Sequence, residues 1–93
     1  MTLVIVVPCY NEEKVLMETT KRLGDLMQKM ITNKVISEDS RILYVNDGSK
    51  DATWDIITLL SQTNTCVCGV NLSRNVGHQN ALMAGLEVAL DMG

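Results

Sequence analysis

Residues 42–54 read ILYVNDGSKDATW. An apolar run stops at a glycine-bearing polar turn, and residues at helical spacing follow. Such a stretch is a strand, a loop and the start of a helix. The same unit stands on either side of it. Upstream, LVIVV at 3–7 is a β-branched-rich run of the kind found in strands buried on both faces. Residues 12–31 then place Val15, Leu16, Leu23, Leu26, Met27, Met30 and Ile31 on one helical stripe. Downstream, a strand over 66–72 precedes a helix over 76–92. The central strand covers 41–46, and its helix covers 51–62 with Ile56, Ile57, Leu59 and Leu60 as the apolar face. TNKVISEDS at 32–40 is a polar connector.

Local signals refine these elements. Asn11 is a candidate N-cap for the first helix, and Glu12 and Glu13 suit its positive end. Ser49 is a candidate cap for the second. Pro8 cannot donate to a ladder and is expected to end the first strand. Ala81, Gly85 and Ala89 make a small-residue face on the third helix that admits a close neighbour.

The order βαβαβα predicts an α/β fold: a three-layer, Rossmann-like parallel sheet with right-handed crossovers. All three strand-to-helix loops then emerge at the carboxyl edge, where open α/β sheets bind ligands. PCYNEE (8–13), NDGSKDAT (46–53) and SRNVGHQN (73–80) are those loops, and they hold the distinctive polar residues.

Composition narrows the field. The chain has 93 residues, enough for one domain, and is 46% hydrophobic and 20% charged, as globular proteins are. A net charge of -3 without a basic run argues against nucleic acid as a partner. No apolar stretch reaches the ~18 residues of a membrane span. The start lacks the basic leader and cleavage site of a signal peptide. Cys9, Cys66 and Cys68 have no metal-site spacing and suggest reduced thiols in a cytoplasmic setting. Cys66 and Cys68, at strand spacing, are expected on one face.

Each loop admits a plain and a chemical reading. Asn-Asp-Gly is ordinary turn chemistry. Equally, an ionised Asp47 at a strand end can accept from the N–H edge of uracil or guanine. Tyr10 offers a ring for stacking on a base or sugar, worth roughly 1–3 kcal/mol in nucleic-acid cases. Asn11 and Glu12 lie within reach of ribose or phosphate-linked groups. Arg74 is the cation at this edge suited to a diphosphate. The lone His78 is either a first-turn helix residue or part of the same rim. There is no GxGxxG after the first strand, no GxxxxGK[ST] and no GxSxG, which disfavours a dinucleotide domain, a P-loop and a hydrolase elbow.

VVPCYNEE, YVNDGSKDAT and LSRNVGHQNALMAGL, in that order, resemble the nucleotide-sugar glycosyltransferases of GT-A fold, the large inverting family. Within it they are most similar to the polyprenyl-phosphate glycosyltransferases, and they cover nearly the whole chain. The resemblance implies a nucleotide site lined by Pro8, Tyr10, Asn11 and Glu12, with Val45 beside the base and Asp47 on its N–H edge. Arg74 and His78 would border the diphosphate. Asn46 stands where many relatives carry an acid, which leaves the choice of base open. The resemblance further implies a UDP- or GDP-sugar donor, a lipid-phosphate acceptor and a divalent cation (Mg2+ or Mn2+) on an Asp-x-Asp beyond the third helix. Residues 1–93 are accordingly expected to be the nucleotide-binding part of a longer catalytic domain. It would hold no metal or catalytic residue, be inactive alone, and belong to a parent at the cytoplasmic membrane face. Sheet order 3-2-1 would leave the first strand as an apolar edge, a template for a homo-oligomer. Two alternatives stand beside this reading. A nucleotidyltransferase-like enzyme would favour a glycine-rich basic loop in place of PCYNEE. A non-catalytic nucleotide-binding or assembly module would bind without transfer.

Overall fold

The structure is a computed structural model and describes residues 2–92. Its elements are β1 (Val4–Cys9), α1 (Leu16–Thr32), β2 (Arg41–Asp47), α2 (Thr53–Thr63), β3 (Val67–Leu72) and α3 (His78–Met92). The strands form one parallel sheet in the order β1-β2-β3. The expected three-layer α/β architecture and strand order therefore stand.

Side-chain alternation along β2 divides the core into two layers. Ile42 and Tyr44 point to α1 and α2, in a cluster with Leu16, Met27, Ile57 and Leu60. Leu43 and Val45 point the other way, against Ala81, with Val88 and Ala89 of α3 packed alongside. Both faces of β2 are thus buried, as its unbroken apolar run requires. Within the first layer Tyr44 Oη and Thr20 Oγ1 lie 2.7 Å apart, so the buried phenol has a hydrogen-bond partner. The small face of α3 does what it is suited to. A Cβ on Gly85 would come within 2.5 Å of Val6 Cγ1 and 2.6 Å of Val45 Cγ2.

Several local expectations are corrected. β1 runs through Pro8 to Cys9, with Pro8 opposite Val45. An edge strand tolerates proline because one side of it needs no donor. α1 begins at Leu16, not Glu12, and its N-cap is Val15 without a side-chain cap bond. Asn11 is no cap: its φ of 52° turns the chain left-handed, and the Glu12 carbonyl then accepts from both Val15 and Leu16 N–H at 3.1 Å. Ser49 is no cap either, since α2 is preceded by Ala52. Val15, Leu26 and Leu59 are about half exposed and do not belong to the buried stripes. Cys66 lies in the turn before β3 and joins the α1–α2 cluster, whereas Cys68 joins the α3 cluster. The two cysteines serve opposite layers.

Candidate functional site

The three β-to-α loops meet at the carboxyl edge, and the first two are bonded into one unit. Asn11 N–H donates to Ser49 Oγ at 2.9 Å. In return Asn11 Oδ1 accepts from Lys50 N–H at 2.9 Å. Glu12 N–H donates to Thr53 Oγ1 at 2.8 Å, and Glu13 N–H to Asp51 Oδ2 at 3.3 Å. Glu13 Oε2 accepts from Ala52 N–H at 3.1 Å. Asp51 also accepts from the Thr53 hydroxyl and from Thr53 N–H. Its carboxyl sits below the ordinary aspartate range: desolvation pushes it up, but the bonds from Thr53 and Glu13 outweigh that.

The third loop is held differently. Asp47, 1% exposed, accepts at Oδ1 from Val76 N–H at 2.7 Å. The neighbouring Gly48, at φ 68°, lies directly beneath the Arg74–Asn75 backbone, where any Cβ would collide. The tight turn that glycine permits is therefore also a contact surface for the next loop. Asn46 is buried and spans the loops as well. Its Nδ2 donates to Asn71 Oδ1 at 2.8 Å, and its Oδ1 accepts from Ser49 N–H at 3.3 Å.

The expected site residues fall into three sets. Pro8 near the end of β1 and Tyr10 and Glu12 on the first loop are half-buried, with Asn11 exposed between Tyr10 and Glu12. Arg74 and His78 are exposed, His78 as the first residue of α3. Val45 and Asp47 are buried, and Val45 is covered by Gly85 of α3. The edge thus gathers Tyr10, Asn11, Glu12, Arg74 and His78, while Val45 lies beneath it in the core. Lys14 and Lys50 are also exposed on these loops, so Arg74 has cationic company there.

A small cleft of about 160 Å³ opens beside the first loop, lined by Pro8, Cys9, Glu12 and Tyr44 among others. Cys9 supplies no nucleophile to it. Burial, with Glu12 nearby, pushes its thiol up to about 12.

Among the described residues no group of three His, Cys, Asp or Glu side chains converges as a metal site would require. The donor set for a divalent cation is not met by these residues. Among the same residues no helix is long and apolar enough to cross a membrane.

This arrangement has counterparts in known proteins. The family model described as Glycosyl transferase family 2 matches residues 4–91, a span that takes in all three loops. The chain belongs to glycosyl transferase family 2. This family 2 chain is 53% identical over 87 residues to YkoT of Bacillus subtilis (strain 168), an uncharacterized glycosyltransferase, covering 94% of this chain and 26% of that protein. It is 35% identical over 89 residues to a prophage bactoprenol glucosyl transferase homolog of Escherichia coli (strain K12), covering 96% of this chain and 27% of that protein. A bactoprenol glucosyl transferase of Shigella phage SfV matches at 34% over 89 residues, with the same coverage of 96% and 27%. The chain spans about a quarter of the length of the curated relatives it matches.

The bonds that knit the edge were not read from the sequence. Ser49, Asp51 and Thr53 look like turn residues, and their partners lie about 40 positions away. The available signal was the density of short polar side chains on two facing loops, which are the residues that bond to backbone.

Proposed function

We propose that these residues form the nucleotide-binding part of a glycosyltransferase that moves a sugar from a nucleoside diphosphate sugar to a polyprenyl phosphate. The observation that carries this is the bonding of the Tyr10–Glu13 loop to the Asp47–Thr53 turn at the carboxyl edge. It holds Tyr10 and Glu12 on the same sheet edge as the exposed Arg74 of the third loop. Stacking by Tyr10 and charge neutralisation by Arg74 are the roles those chemistries suit, while the buried Asp47 holds the third loop in place through Val76 N–H. The lipid-phosphate acceptor follows the naming of the bactoprenol glucosyl transferases among the relatives. The cytoplasmic membrane face is the matching location. The cation that would neutralise the leaving diphosphate is assigned to residues other than those described here, as is the catalytic base, so the chain alone is expected to bind and not to transfer.

The test is calorimetry of the chain with UDP and with GDP, each with Mg2+ or Mn2+. Saturable binding of one nucleotide, competed by its sugar conjugate, is expected. Heat from neither nucleotide would sink the proposal, and sugar transfer by the chain alone would overturn its second half.

A further inference from the structure

Resting on that reading, we infer that Asn11 is a positioning residue: it fixes the Tyr10 loop against the Asp47 turn through Ser49 and Lys50, and so sets nucleotide affinity through the placement of Tyr10. Its left-handed backbone, φ 52°, is one that asparagine adopts at lower cost than most residues. That alone would make it a turn residue. Two further bonds give it a second task. Its N–H donates to Ser49 Oγ and its Oδ1 accepts from Lys50 N–H, both at 2.9 Å. The bonds run in opposite senses to adjacent residues of one turn, so sliding the loops past each other breaks both. Ser49 is itself anchored, its N–H donating to Asn46 Oδ1 at 3.3 Å, and Asn46 reaches Asn71 of β3 at 2.8 Å. A chain of polar contacts therefore runs from the residue beside Tyr10 through the β2 turn to the third strand. Tyr10 and Glu12 flank the first link of that chain directly. Asn11 is exposed, and its amide oxygen is committed to Lys50.

Three substitutions separate the parts. Asn11→Gly keeps the left-handed backbone and loses Oδ1. Ser49→Ala loses the oxygen that Asn11 N–H needs, and Ser49→Thr keeps it. The chain has two tyrosines, and Tyr44 is buried against Thr20, so 3-fluorotyrosine labelling yields a Tyr10 fluorine signal with an internal reference. Asn11→Gly and Ser49→Ala should each move the Tyr10 resonance toward that of the free amino acid and leave Tyr44 in place. Each should also raise the Kd for the bound nucleotide at least about fivefold, as loss of one hydrogen bond would. Ser49→Thr should stay within about twofold of the parent chain on the same scale. An unmoved Tyr10 signal in both variants, or a Ser49→Thr as impaired as Ser49→Ala, would overturn the inference. A parent chain that binds neither UDP nor GDP defeats the nucleotide-sugar reading by itself, and the fluorine signal then decides the positioning claim alone.

Discussion

The first two loops and the third differ in how their backbones are satisfied. In the first pair, side chains of one loop accept from main-chain N–H groups of the other, at Asn11, Ser49, Glu13, Asp51 and Thr53. Such a lattice removes the freedom of both segments at once, and it uses up the short polar residues that a sequence reader would assign to ligand. The third loop, 73–77, leans on the second through Asp47 and Gly48, and it leaves Arg74 exposed. One half of the edge is scaffold that holds a site in shape. The other half keeps its charged side chain free. The contrast also separates two uses of an acid, since Asp47 anchors one loop to another while Glu12 stands half-buried at the rim.

Gly48→Ala should break the contrast most severely. A side chain there meets the Arg74–Asn75 backbone and must also adopt φ 68°. The left-handed backbone alone costs about 1–2 kcal/mol, and displacing a packed loop adds about 1–3 kcal/mol more. Urea unfolding should show a loss of that combined size, with the third loop losing amide protection first. Protection lost first in the first loop would show that the two regions are coupled in the opposite direction.

Asp47→Ala comes next. It leaves the part-buried Val76 N–H without its acceptor, which costs about 1 kcal/mol. The measurement is again the urea midpoint. An unchanged midpoint would mean that the third loop is held by Gly48 packing alone.

The sequence disclosed one side of this contrast better than the other. Strands, helices and their order were legible because burial on both faces makes β2 an unbroken apolar run closed by a turn and burial on one face gives α1 its 3.6-residue period, and both signals are local. The carboxyl-edge location of Tyr10, Glu12, Arg74 and His78 followed from topology. What could not be seen were bonds between residues such as Asn11 and Ser49, which no periodicity links. Asn11 therefore looked like a helix cap when it is a cross-loop clip, and α1 started four residues late as a consequence. The burial of Val45 was equally hidden from the sequence. The resemblance alone put it beside the base, and β2 alternation turns its side chain under α3, against Gly85.

Acid should loosen the bonds between the first two loops. Bonds from Thr53 and Glu13 hold the Asp51 carboxyl below its ordinary range against the upward push of desolvation. A carboxyl lowered by folding stabilises the folded state above its unfolded pKa, near 4, and that contribution disappears as pH falls through the folded value. Asp51→Asn should therefore lower the urea midpoint at pH 7, by less than Asp47→Ala does. The gap between variant and parent should close below about pH 4. A gap that stays constant down to pH 3 would show that shape, and not the charge of Asp51, ties Glu13 to Thr53.

Arg74→Ala should have the smallest effect on stability and the sharpest on the contrast. The side chain is exposed on a loop whose anchoring comes from Asp47 and Gly48, so its removal should change unfolding by no more than about 0.5 kcal/mol. If the guanidinium serves the diphosphate, affinity for a nucleoside diphosphate should fall about tenfold while affinity for the nucleoside holds, because the charge it matches is absent from the latter. Equal losses for the two ligands would place Arg74 near the base or ribose. Stability lost together with affinity would make the third loop scaffold like the first two. Only a selective loss keeps the division of labour at this edge, with two loops bonded for shape and one left free for charge.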